Sequence, residues 1–128
     1  MADTFKFELV SPERVLLSED AAQVVLPGVQ GDFAVLPSHA PMLSMLRPGV
    51  LDIDLPGGTR RVFVKGGFAE VEPDRLTVLA QTAFDVEASS AASVIASELK
   101  AAEAELDEAT DDEARFIAQE AVDSLRGL

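Results

Sequence analysis

The chain is 128 residues long, carries a formal net charge of −13 and contains no cysteine. That length suits one domain with a proper core plus a small appendage. The charge disfavours nucleic acid and bare anionic lipid as partners, and the missing cysteine excludes disulfides, thiolate metal sites and cysteine nucleophiles. Hydrophobic residues make up 48%, yet no apolar run approaches the roughly 20 residues needed to cross a bilayer, so no direct membrane insertion is expected. The opening MADTFKFELV shows no basic region followed by an apolar core, so no signal peptide is expected in it and the default compartment is a bacterial cytoplasm.

From Phe5 to about Ala83 the chain reads as small strands and turns. Phe5, Phe7 and Leu9 alternate with Lys6 and Glu8, the period of a strand with one buried face. AQVVLP and DFAVLP follow, separated by GVQG; such continuous apolar runs are expected to be buried on both faces. LPSHAPMLSMLRPG, with the only histidine, reads as a loop made rigid by Pro37, Pro41 and Pro48 and anchored by Met42, Leu43, Met45 and Leu46. Four large apolar residues in five positions exceed what a surface loop needs, so some should be core and some a patch for a protein partner. VLDIDL, PGGT and RRVFVK then form the clearest hairpin. GGFAEVEP and RLTVLAQ complete the set, with KGG and PDR read as turns. Turn signals every 8 to 12 residues imply a β-sandwich or barrel.

After Phe84 the composition changes. Residues 1–84 hold 11 acidic and 7 basic residues, residues 85–128 hold 12 and 3, and from Ala88 onward there is no proline. The Ala, Glu and Leu content is helical material. Ile95, Leu99, Ala102 and Leu106 make one stripe of a first helix ending near LDEAT. Thr110 and Glu113 are placed to form a capping box for a second helix, with Ala114, Ile117, Ala121 and Leu125 on its inner face. The fold expected is mainly β plus α, an N-terminal β-sandwich in residues 1–84 followed by a C-terminal antiparallel two-helix hairpin in residues 85–128. Helices this short and alanine-rich need something to lean on.

Chemistry is scarce. VKGGFAE puts its lysine before the glycines and lacks the phosphate-cradling pattern. DIDLPGG begins an EF-hand spacing but holds Phe63 where a bidentate glutamate is required. ELDEATDDE is explained by capping and a solvated loop. Ser38 beside His39 has no nucleophile-elbow context. Neither cofactor nor metal is expected.

Two long motifs, GDFAVLPSHAPMLSMLRPGVL and VKGGFAEVEPDRLTVLAQTA, in that order and with the match extending back to FELVSPERVLLSEDAAQVVLPGVQGDF, resemble the epsilon subunit of the rotary F-type ATP synthase. The resemblance implies a non-catalytic subunit of the central rotor stalk, peripheral on the cytoplasmic face of the bacterial inner membrane. Its sandwich would bind the gamma subunit and sit against the c ring, catalysis lying on the beta subunits. By the same resemblance Gly31, Asp32 and Phe33 match the loop that faces the c ring, Ser11, His39 and Ser44 match positions near gamma, and Gly66 and Gly67 match paired glycines in a strand turn.

The family's hairpin carries its regulation, reaching in its extended form toward the alpha and beta subunits. Some members bind ATP through [IL]DxxRA; here those positions read Val86, Glu87, Ala88, Ser89, Ser90 and Ala91, without the arginine that would meet phosphate. The hairpin has only Lys100, Arg115 and Arg126 against twelve carboxylates. Self-inhibition and ATP sensing are therefore both expected to be weak or absent. Two other readings compete. One is a free-standing β-sandwich interaction or ligand-binding module with a helical tail; the other is a small hydrolase using His39.

Overall fold

A computed structural model describes residues 3–88 and 90–128. Eight strands, β1 (Phe5–Val10), β2 (Val15–Ala21), β3 (Gln23–Gly28), β4 (Gly31–Val35), β5 (Met42–Leu46), β6 (Gly49–Leu55), β7 (Gly58–Glu72) and β8 (Arg75–Asp85), precede two helices, α1 (Ala91–Glu108) and α2 (Asp112–Arg126). The alternation in β1 is realised as expected: Phe5, Phe7 and Leu9 are buried, while Lys6 and Glu8 are not. β1 runs parallel to β8, with Phe7 opposite Leu76 and Leu9 opposite Val78, and carries β2 antiparallel on its other edge.

The VLDIDL–PGGT–RRVFVK hairpin forms, Leu55 facing Gly58 across a turn at Pro56 and Gly57. KGG, expected to be a turn, is not one: β7 continues through it for 15 residues. Gly66, at φ 68°, bends the strand, and Gly67 lies so close to β8 that an added Cβ would stand 1.9 Å from the Leu79 carbonyl oxygen. A bend without a break lets one strand serve two sheets, as at the corners of sandwiches. The first half of β7, up to Val64, pairs with β6, and its second half, from Gly67, pairs with β5. Arg47 and Pro48 mark the same step on the neighbouring edge. β8 pairs with β7 on both sides of the bend. Phe7, Leu9, Leu26, Leu51, Ile53, Val71 and Leu76 fill the space between the layers.

Burial on both faces is complete in RVFVK, is reached at Leu26 and Pro27 of the first expected run, and fails in the second. Val62 and Val64 point into the sandwich, and Phe63, fully buried, points out of it into a second core with Ala102, Ala121, Val122 and Leu125. Phe63 also packs on Phe84, ring centroids 5.3 Å apart. The helical hairpin is what covers that outer face. AQVVLP is buried only in part, and DFAVLP turns Val35 into the core but leaves Ala34 and Leu36 in solvent.

The helices form where composition placed them, with two local corrections. α2 is capped by Asp111, not Thr110; its carboxylate accepts the Ala114 amide at 2.7 Å. Its buried face is Ala118, Ala121, Val122 and Leu125, whereas Ala114, Phe116 and Ile117 are exposed. Spacings of three, one and three keep that stripe within one side of the helix, and the alanines let α2 approach α1 and β6 closely. α1 turns Ala102 inward with Leu99 and Leu106 beside it, as the sequence pattern implied, while Ile95, the first residue of the expected stripe, is only half-buried. Lys65 Nζ on β7 donates to Glu105 on α1 at 2.8 Å, adding an ion pair to the apolar seam.

Candidate docking surface

β3 and β4 join through Val29 and Gln30, and the tight return requires glycine at both ends. A Cβ on Gly28 would meet the Gly31 carbonyl at 2.7 Å, and Gly31 itself sits at φ 132°. Beside this turn lies β5. The segment expected to be a proline-stiffened loop is a strand from Met42 on, hydrogen-bonded along β7, and of its four presumed anchors only Leu46 is buried. Met42, Leu43 and Met45 are exposed, Leu43 by 66%. Together with Val29 and Phe33 they give an apolar lining to a groove of about 500 Å³. Large apolar side chains clustered in solvent mark protein-binding surfaces more often than isolated ones do.

The groove brings some of the sequence-derived candidates together and leaves others apart. Gly31, Asp32, Phe33 and Ser44 all line it. Ser44 Oγ donates to its neighbour's carbonyl at Met45, 3.1 Å away. His39 lies outside, in the turn before β5, where its Nδ1–H donates to the Ala40 carbonyl at 2.7 Å. The preceding Ser38 adopts φ 67° and is pinned by its amide to the Pro73 carbonyl. Ser11 is used locally: its hydroxyl donates to the Arg14 carbonyl and accepts the Arg14 amide, closing the link from β1 to β2.

At the start of the hairpin, Val86 is packed into the second core and Ala91 is buried, while Glu87 and Ser90 face solvent; Ser89 lies outside the described residues. Asp85 holds this exit together, accepting the Glu87 amide at 2.8 Å and Arg60 Nη2 at 2.9 Å. Partial burial pushes its carboxyl up, but the Glu87 amide and the Arg60 guanidinium outweigh that and hold it below the ordinary aspartate value. Among the described residues no three His, Cys, Asp or Glu side chains gather as a metal site, and no helix is long and apolar enough to cross a membrane.

Sequence reasoning passed over Arg47. Its guanidinium donates to the Gly28 carbonyl and to the Asp32 carboxylate, and its Nε stands 3.4 Å from Glu120 on α2. The available signal was that Arg47 is the only Lys or Arg between Arg14 and Arg60.

Strand order, corner-turning β7 and the covering helices define the class: a β-sandwich domain followed by a helical hairpin. The family model described as ATP synthase, Delta/Epsilon chain, beta-sandwich domain matches residues 4–86. The ATP synthase epsilon chain of Rhodospirillum rubrum is 51% identical over 122 residues, covering 94% of this chain and 90% of that one. The chain belongs to the ATP synthase epsilon-chain family.

Two cryo-EM structures share the fold. One is a chain of the Euglena gracilis mitochondrial ATP synthase, solved as OSCP/F1/c-ring in rotational state 1 (TM-score 0.74, 24% identity, 99% of this chain and 81% of that one). The other comes from the central stalk/c-ring of the Tetrahymena thermophila mitochondrial ATP synthase (TM-score 0.64, 14% identity, 96% and 94%).

Proposed function

We propose that this chain is a non-catalytic subunit of the central rotor stalk of an F-type ATP synthase, docking gamma onto the c ring so that proton flow drives ATP formation on the beta subunits. Residues 1–84 are the docking sandwich and residues 85–128 an appended arm that can meet the alpha and beta subunits; the subunit is peripheral on the cytoplasmic face of a bacterial inner membrane. The groove along β5 receives gamma, with Ser44 inside it and Ser11 and His39 as outlying contacts whose side chains are already fixed. The start of β4, Gly31–Phe33, a strand and not the loop expected, faces the c ring, Asp32 offering a carboxylate to a basic loop.

The observation that carries this reading is the row of Met42, Leu43 and Met45 left in solvent beside the Asp32 carboxylate, in a chain of this family. An interface with an apolar centre and a polar rim uses such a surface, and methionine adapts to the partner's shape. Membership of c-ring and central-stalk assemblies by the two structural neighbours supports it.

The proposal is tested with Leu43→Asp and Met45→Asp, which leave the core untouched. Burial of each of these side chains is worth about 1.5–3 kcal/mol, so co-purification with gamma and the c ring should fall at least about tenfold while thermal unfolding of the subunit stays unchanged. Normal co-purification of both variants overturns the reading.

Self-inhibition by the hairpin is weak in this proposal. Of its three basic residues, Arg115 pairs with Asp112 and Arg126 with Glu103 inside the hairpin, which leaves little positive charge for an acidic partner. Strong inhibition of ATP hydrolysis by added subunit, relieved on deleting residues 88–128, would refute it.

A further inference from the structure

Arg47 sits where the β5–β6 edge steps from one layer to the other, its own amide donating to the Pro27 carbonyl at 2.9 Å. From there one guanidinium serves three groups on three elements: the Gly28 carbonyl at the end of β3, Asp32 on β4 and Glu120 on α2. Its side chain is 23% exposed, against 63% for Asp32 and 33% for Glu120. The neighbouring charges in the same cleft are otherwise engaged. Arg61 donates to Asp52 at 3.2 Å, and Asp123 accepts from Gln119 at 2.8 Å. Asp32 and Glu120 thus divide a single cation, and the longer Nε–Glu120 separation of 3.4 Å shows it drawn toward the loop.

We propose that Arg47 is a positioning residue that couples the start of β4, Gly31–Phe33, to docking of the helical hairpin. Two carboxylates on one guanidinium compete. When Asp32 loses its charge or gives it to another cation, Arg47 closes on Glu120 and the hairpin is held more firmly. By reciprocity, a docked hairpin that occupies Arg47 leaves Asp32 freer to meet a cationic partner. Lysine cannot replace this arginine, because a compact ammonium does not span three acceptors lying in different directions.

The intramolecular coupling stands on the geometry of the single chain and is tested on the full-length subunit by amide hydrogen exchange at low ionic strength, where exposed pairs are least screened. Amides of Ala118–Leu125 report hairpin docking, since an undocked helix this short loses its protection. Asp32→Asn should slow their exchange about two- to fivefold, the range of a partly exposed ion pair, and Glu120→Gln should speed it by a similar factor. Asp32→Asn should have no effect on top of Glu120→Gln or Arg47→Lys, and exchange in β1 and β8 should stay unchanged throughout. Unchanged or faster α2 exchange in Asp32→Asn, or slowing that persists without Glu120, overturns the coupling.

Its extension to a partner rests on the proposed docking role of the Gly31–Phe33 segment. Reconstitution of the wild-type subunit into the ATP synthase should slow the same α2 amides, and Glu120→Gln should abolish that slowing. If the isolated subunit behaves as expected but reconstitution has no effect, the docking role of the Gly31–Phe33 segment fails and the coupling stands.

Discussion

Gly67→Ala should be among the most damaging single-methyl changes in this protein. The added Cβ would lie 1.9 Å from the Leu79 carbonyl oxygen and 2.9 Å from Ala80 Cα. Ordinary contact of carbon with these atoms is above about 3 Å, so β7 and β8 would have to separate by more than about 1 Å at their most constrained point. Both neighbours are backbone, and no side chain can swing away to relieve the overlap. Overpacking a core costs about 1–3 kcal/mol and sometimes more, and backbone against backbone belongs at the upper end.

Gly66→Ala provides the internal comparison. Its φ of 68° costs an L-residue about 1–2 kcal/mol, and its Cβ would meet only the movable Gln81 amide, at 2.8 Å. For a domain of this size about 1 kcal/mol corresponds to roughly 4–8 °C. Gly66→Ala should therefore lower Tm by about 4–16 °C, and Gly67→Ala by more than Gly66→Ala, read by circular dichroism on the full chain. Equal or reversed losses would refute the close approach of β7 to β8 at Gly67.

Leu125→Ala should empty part of the second core and cost about 2–5 kcal/mol of hairpin docking, seen as faster amide exchange in α1 and α2 with β1 and β8 unaffected. Asp111→Ala should remove the α2 cap at about 1 kcal/mol, measured as loss of helicity and earlier melting of α2. Asp85 has a folded pKa below its unfolded one, so the stability it adds is complete above the unfolded value near about 4 and is lost as pH falls through the folded value. Asp85→Asn should then cost about 1 kcal/mol at neutral pH, and the gap in denaturant midpoint should close in acid. A gap that is constant with pH contradicts the assignment.

Where one local rule governed a segment, the sequence was enough to read it. Alternation in β1 and β6, the PGGT turn and the proline-free alanine-rich C-terminal third each point to one structure. β2 was silent because it lies on an edge: only Leu17 and Ala21 are buried, and Val15, Ser18, Glu19 and Asp20 face solvent. β5 was hidden between prolines, with apolar residues on its open face. KGG read as a turn because adjacent glycines serve both a reversal and a close crossing, and only the position of β8 decides between them. The α2 stripe slipped because Ile117 resembles a core residue until the sandwich fixes which side faces inward. Gly31, Asp32, Phe33 and Ser44 became candidates through the family resemblance alone, and Arg47 reaches partners 15 and 19 residues away that no local pattern announces.

β7 and β8 each pass unbroken from one layer of the sandwich to the other. In most sandwiches the layers meet only through side chains, which yield to sideways load by sliding. Here such sliding must strain two covalent backbones that are paired side by side through a bend with no free space, so shear stiffness is built into the chain path itself. A part loaded from two sides would keep its shape through the polypeptide, with the core contributing cohesion rather than rigidity.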